Sequence, residues 1–266
     1  MSTDAHDWER TAERYRAGRY MDPALADHIR KVNLELVRRW APELNQPRIL
    51  KTDAFADATC PERAFSWFIH EDGQLVCFDI ANGLAAQGRH NARALGYMDA
   101  VYLAADARFL PFGDGVFDLV VSDSTLDHFH TTTEIHVALG ELARVLRPGG
   151  VLIVALDNPH NVTDPLWRLW RRFRGAPYFI GETLTRRALA ESLRSRGLDV
   201  TAVTAQFHYP RKITKSALRA ARRVAPGCTD AIAPRVLSLL DHLERLCTRY
   251  LTGLFVVARA EKPLAH

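Results

Sequence analysis

Short apolar runs bounded by turns alternate with longer helical stripes along most of this chain. Residues 48–50, 75–79, 101–103, 116–121 and 151–156 have the length and composition of buried strands. Around them apolar residues recur at helical spacing. Ile29, Val32, Leu36 and Trp40 mark a helix over 27–40, and a second helix over 82–95 closes at Gly96. Thr131 and Glu134 have capping-box spacing, followed by the stripe Ile135, Ala138, Leu139, Leu142, Val145 and Leu146. Thr59 and Glu62 have the same spacing around Pro61, so a helix is predicted to start there, with Ala64, Trp67 and Phe68 as its apolar face. Further on, the pattern predicts a helix over 185–196 stopped by Gly197, a strand over 200–207 and a basic helix over 212–224. Ile232, Val236, Leu239, Leu243, Leu246 and Tyr250 stripe another helix, and 254–260 is a last strand. The sum is an α/β sheet protein. With no repeat, low-complexity segment or clear linker, residues 1–266 read as one domain with an N-terminal helical segment over 1–46.

Composition narrows the class without naming a function. Of 266 residues, 47% are hydrophobic and 25% charged, as in an ordinary soluble globule. No apolar run approaches the roughly 20 residues of a membrane span. The charged start is unlike a secretory signal, so the expected compartment is the cytoplasm. Four cysteines form no CxxC pair, and Cys77 in a strand and Cys247 in a helix read as core thiols. The net charge of +4 is concentrated at 168–174 and 211–223, both read as solvated helix faces. No nucleic-acid reader motif accompanies them, so no nucleic-acid partner is expected.

The chemistry gathers where strands end. Leu110-Pro111-Phe112 and a Gly-Asp-Gly turn precede the strand over 116–121, which opens into Ser122-Asp123-Ser124-Thr125 and then Leu126-Asp127-His128-Phe129-His130. Open α/β sheets place ligands at such strand ends. The second strand ends on Asp79, where a carboxylate suits both hydroxyls of a ribose, and the third leads to Asp106. No GxGxxG accompanies them, which argues against a dinucleotide. HExxH and GxSxG are absent too, so neither a metal site nor a hydrolase is indicated.

The stretch 106–129, together with Leu146-Arg147-Pro148-Gly149-Gly150 and the strand after it, resembles the class I S-adenosylmethionine-dependent methyltransferases. The resemblance runs from about residue 48 to about 203, with 254–260 as a last strand. It implies a Rossmann-like, doubly wound, seven-stranded and mostly parallel sheet with an antiparallel last strand. It also implies helical covers over the substrate, here 157–182 and 208–250, and S-adenosyl-L-methionine as cofactor. Residues matching the cofactor positions are Thr52, Asp53, Ala54, Asp79, Ile80, Asp106, Ala107, Arg108, Asp123 and Ser124. In such proteins an N-terminal segment like the one carrying Trp8 covers cofactor or substrate; a plain surface helix is the alternative. Tryptophans among arginines over 166–173 read as part of a substrate cover, with a membrane-surface helix as the rival.

One departure stands out. After the first strand the family carries an acidic residue and a glycine-rich turn. Here the chain reads Lys51-Thr52-Asp53-Ala54-Phe55-Ala56-Asp57, without glycine. Lys51 stands at the acidic position, and Asp53 and Phe55 stand where glycines would be. Asp53 tolerates left-handed backbone and Phe55 does not. Either Asp53 or Asp57 replaces the missing carboxylate, or the cofactor site is weakened or lost.

Methyl transfer needs mainly alignment, plus a base when the nucleophile is a hydroxyl. His128, His130 and His160 are the candidate bases, with His128 nearest a strand end and His160 in a polar cluster expected on the same sheet edge. The expected activity is methylation of a small molecule, with a homodimer one of the oligomeric states left open and no membrane partner. The alternatives are a non-methylating reaction on the same fold, such as a cyclisation, or a binding subunit without turnover.

Overall fold

A computed structural model describes residues 8–11, 13, 21–43, 45–64, 66, 69, 73–163 and 181–264. The tryptophan- and arginine-rich stretch over 166–173 lies outside them. Seven strands form one sheet: β1 Arg48–Thr52, β2 Gln74–Asp79, β3 Val101–Ala104, β4 Phe117–Asp123, β5 Leu146–Asp157, β6 Asp199–Gln206 and β7 Phe255–Glu261. Their order is β3-β2-β1-β4-β5-β7-β6. Pairing is parallel except at β7, which is antiparallel to both β5 and β6. This is the Rossmann-like sheet with one antiparallel strand expected above. Strand order reverses between β1 and β4, where Lys51 faces Val121 in register, so the two chain directions part there and leave a crevice.

The helices whose bounds lie within the described residues are α1 Pro23–Trp40, α2 Phe55–Thr59, α3 Asn82–Ala94, α4 Thr132–Val145, α5 Arg186–Arg194, α6 Arg211–Val224, α7 Pro226–Asp241 and α8 Arg249–Thr252. Adjacent strand residues point to opposite faces, and both faces are covered. Leu50, Phe78, Val120 and Leu152 pack with Ile135, Leu139 and Leu142 of α4 and Leu189 and Leu193 of α5. Ile49, Cys77, Leu119 and Val121 pack with Leu36 and Trp40 of α1 and Leu84 and Ala92 of α3. A third cluster joins Leu25 of α1 to Phe207, Tyr209, Leu218, Ala233 and Leu237.

Local signals account for several ends. Asp22 caps α1 through Ala24 N–H with Pro23 in its first turn, so the helix starts ahead of the expected 27. Thr131 and Glu134 form the predicted capping box. Gly96 and Gly197 take left-handed backbone, with φ of 93° and 75°, just past α3 and α5.

Four expectations are corrected. Thr59 does not begin a helix: it ends α2, its hydroxyl donating back to Phe55 O at 2.6 Å, and a 3-10 turn, Pro61–Arg63, comes next, while Trp67 and Phe68 lie outside the described residues. The last stripe is not one helix. It breaks at Asp241 into a 3-10 turn, His242–Arg245, and then α8. Nor is it core: Ile232, Val236 and Leu239 are exposed, because α7 packs through Thr229, Ala233 and Leu237 instead. Cys247 lies exposed in the turn between these pieces, and Cys228 is exposed as well, so of the expected core thiols only Cys77 is buried.

Candidate active site

β1 delivers the altered turn to the crevice. Asp53 has φ 70°, the left-handed backbone that a glycine would otherwise supply, and its Oδ1 accepts the Phe55 N–H at 2.5 Å. Phe55 needs no such backbone, because it opens α2. Lys51 is buried beneath the turn, where it shares a smaller pocket with Asp53 and Asp123. Its Nζ lies 3.3 Å from Asp57 Oδ2 and also donates to the Asp53 carbonyl. Asp57 is fully buried and further receives the Ser66 hydroxyl at 2.5 Å. Asp57 is thus engaged with Lys51 inside the protein, and Asp53 is the carboxylate at the crevice.

Asp53, Asp79, Ile80, Asp106 and Ala107 line one cleft of about 610 Å³, with Phe78, Leu84 and Ala105 as its apolar walls. Asp79 accepts Ala81 N–H at 2.8 Å and Ala54 N–H at 2.9 Å, so it also fastens the altered turn to the end of β2. Burial first, and then the neighbouring Asp53, push its carboxyl up to about 7. Burial likewise raises Asp53. Asp123 is pushed up to about 6, by burial and then by Asp53 and Asp127, against the pull of Lys51. The crevice therefore concentrates carboxylates that hold protons more tightly than usual.

The remaining predicted residues fall around this cleft in different ways. Ala54 is fully buried beneath it, and Thr52 ties β1 to β4 through the hydroxyls of Ser122 and Thr125. Arg108 grips the Asp106 carboxylate through Nε at 3.0 Å, pairs with Glu134 and lies over the Phe129 ring. It is the residue that orients Asp106. Asp123 accepts from Asn33 Nδ2 at 2.9 Å, and Ser124, with φ 50°, donates to Asp127 Oδ2 at 2.9 Å. Both line a second chamber beside the cleft. His128 lines cleft and chamber together, its ring 4.8 Å from that of Trp8. His130 and His160 are exposed and absent from both linings; His160 sits in a turn held by Asn158, so it is not brought to the crevice.

Sequence reasoning passed over Asn33, Glu9, Asp127 and Arg211. Asn33 is a buried polar residue beside the apolar stripe of α1. Glu9 reaches Gly83 N–H at 2.7 Å, the N-terminus of α3, where Ala81 supplies no side-chain cap. Asp127, buried in a 3-10 turn, receives both Ser124 Oγ and Asp157 N–H. These depend on tertiary contacts with no local pattern. Among the described residues no cluster of His, Cys, Asp and Glu is arranged to hold a metal ion.

Residues 57–154 match the model of a methyltransferase domain family, a range that begins just past the altered turn. The chain is 34% identical over 137 residues to the ubiquinone/menaquinone biosynthesis C-methyltransferase UbiE of Haemophilus ducreyi, a match covering 49% of this chain and 51% of that protein. It thus spans about half the length of the curated relatives it matches. Among solved structures it is similar to Haemonchus contortus Phospholethanolamine N-methyltransferase 2, in complex with phosphomonomethylethanolamine and S-adenosylhomocysteine. There the TM-score is 0.64 and the identity 16%, over 99% of this chain and 61% of that one. It is also similar to the [4+2]-cyclase SpnF, with TM-score 0.57 and identity 20% over 88% of this chain and 82% of that one. At such identities the two structures speak for the fold alone. With the sheet order, the Leu146-to-Gly150 turn and the domain match together, the chain has the class I S-adenosylmethionine-dependent methyltransferase fold and carries a methyltransferase domain over residues 57–154.

Proposed function

We propose that this protein binds S-adenosylmethionine in the cleft and methylates a small molecule. The observation that carries this reading is the row Asp53, Asp79 and Asp106 along one cleft at the ends of successive strands. Their order suits an ammonium, a ribose and a purine amino group in turn. Charge supports the fit. Burial first, and then their mutual proximity, raises the carboxyls of Asp53, Asp79 and Asp123, and a ligand carrying an ammonium and a sulfonium would favour their charged forms. Phe78, Ile80 and Leu84 give the purine apolar walls. When bound, the cofactor supplies an already activated methyl group.

The chain's own residues then have limited tasks. Asp53 holds the ammonium, Asp79 the ribose hydroxyls, and Asp106, steadied by Arg108, the purine end. Trp8 and Phe55, 6.4 Å apart edge to face, exclude water where cleft meets chamber. His128 stands on that boundary and takes the proton of a hydroxyl nucleophile. The chamber aligns the nucleophile, and the helices over 208–250 cover it.

Incubation with S-adenosylmethionine bearing an isotopically labelled methyl group and a small-molecule extract tests the reading. A product carrying the label, lost in His128→Ala, is expected. Binding of the cofactor without any labelled product would instead favour the non-methylating use of the same cleft.

A further inference from the structure

His128 ends a short 3-10 turn, Leu126–His128, whose own backbone bonds are long. His128 N–H reaches Thr125 O and Phe129 N–H reaches Leu126 O, both at 3.3 Å. Shorter bonds come from outside the turn. Gly181 N–H donates to Asp127 O and Glu182 N–H to Phe129 O, each at 2.9 Å, so the carbonyls on either side of His128 are both engaged by residues 181–182. The approach leaves no room for a side chain. A Cβ on Gly181 would lie 1.9 Å from Phe129 O and 2.9 Å from the His128 carbonyl carbon. Glycine is required there for space, because one backbone is seated directly on another.

The seat is anchored on its far side. The Thr183 hydroxyl donates to the Asp157 carbonyl at 2.6 Å, at the end of β5. Leu184 is buried in the same core cluster as Leu152, and Thr185 caps α5 through Ala188 N–H. On the near side, His128 and Phe129 line the cleft together with Asp106 and Ala107. The Arg108 guanidinium lies 5.1 Å from the centre of the Phe129 ring and holds the Asp106 carboxylate. One backbone contact therefore sets two parts of the site: the imidazole where cleft meets chamber, and the acid at the purine end. Close-packed interiors transmit a local displacement rather than absorb it, so a shift of the 128–129 backbone moves both.

We propose that Gly181 is a positioning residue for methyl transfer. Seated on the 127–129 backbone, it sets His128 toward the substrate and, through Phe129 and Arg108, sets Asp106 toward the cofactor. Gly181 lines neither the cleft nor the chamber, so it acts only through that turn. This rests on the methyltransferase reading, because it takes His128 as the base and Asp106 as a cofactor ligand.

The test compares Gly181→Ala with Gly73→Ala. Gly73 is as confined, a Cβ there falling 2.2 Å from Pro47 O, but it precedes β2 at the sheet edge opposite the cleft. Both variants should lose stability in thermal melts. Gly181→Ala alone should also bind S-adenosylhomocysteine about tenfold more weakly in calorimetry. It alone should move the imidazole resonances of His128, assigned with His128→Gln, in spectra of the ligand-free protein. In the wild type, S-adenosylhomocysteine should slow amide exchange at Gly181 and Glu182, a measurement that decides the matter if Gly181→Ala does not fold. An unchanged affinity or unmoved His128 resonances in folded Gly181→Ala would overturn the inference. So would the same changes in Gly73→Ala, or exchange at 181 and 182 that ignores the ligand. If S-adenosylhomocysteine does not bind the wild type, the methyltransferase reading fails instead, and the His128 resonances alone decide the role of Gly181.

Discussion

Lys51 Nζ lies 3.3 Å from Asp57 Oδ2, and both side chains are closed off from solvent. The cation that occupies the family's acidic position is thus turned inward and answered by a carboxylate six residues on. Burial works against its charge, and Asp57 together with Cys77, Asp53 and Asp123 more than offsets this, so Lys51 stays protonated. A buried pair is far more sensitive to loss of one member than to loss of both. Lys51→Met or Asp57→Asn alone should each lower unfolding free energy by about 3–5 kcal/mol. The double variant Lys51→Met/Asp57→Leu should recover most of that in urea denaturation. Equal and additive losses would show that the pair is not coupled. Lys51→Ala is likewise expected to act on stability.

The raised carboxyls predict how the ligand-free protein responds to pH. Asp79 titrates near 7 and Asp123 near 6 when folded, both above the ordinary 3.8 of an unfolded aspartate. Between those limits the folded state holds protons that the unfolded chain has lost. With respect to these groups stability should therefore be highest below pH 3.8 and fall as pH rises from there through about 7. Asp79→Asn should flatten the upper part of that fall in thermal melts from pH 5 to 8. An ammonium group prefers a deprotonated site, so the affinity for S-adenosylhomocysteine, which carries one, should rise over the same interval.

Glu9 links the N-terminal segment to the N-terminus of α3 through Gly83 N–H. The contact is local and sits beside Trp8, which packs against His128. Glu9→Ala should weaken S-adenosylhomocysteine binding roughly three- to tenfold while changing stability by no more than about 1 kcal/mol. A Kd unchanged in titration would mean that the segment merely rests on the surface.

The sheet was legible because its strands are short, fully buried and bounded by turns, and because Thr131 with Glu134, Gly96 and Gly197 place helix ends without tertiary help. The stripe over 232–250 misled for a physical reason. Helical spacing reports that a face is apolar, not that the fold covers it, and α7 packs through Ala233 and Leu237 one position round. Thr59 and Glu62 misled because a threonine hydroxyl can equally bond backward to the turn before it. Around the cleft, Asp53, Asp79 and Asp106 were readable as acids at strand ends. Asn33, Asp127 and Glu9 were not, since each acts across 30 to 90 residues of chain on a partner that only the fold brings near. Arg211 and Lys215 looked like a solvated basic face, and the sheet edge turns them toward a chamber instead.

The central claim is that Asp53 takes over the carboxylate role that the altered turn otherwise lacks. Asp53→Asn keeps the tolerance for left-handed backbone and the acceptor for Phe55 N–H, and removes only the charge. Calorimetric titration of S-adenosylhomocysteine into wild-type protein and Asp53→Asn is the direct measurement. The expected result is clear binding by the wild type and a loss of about tenfold or more in the variant, near 1.4 kcal/mol. No binding by the wild type at millimolar ligand, or an undiminished affinity in Asp53→Asn, would contradict it.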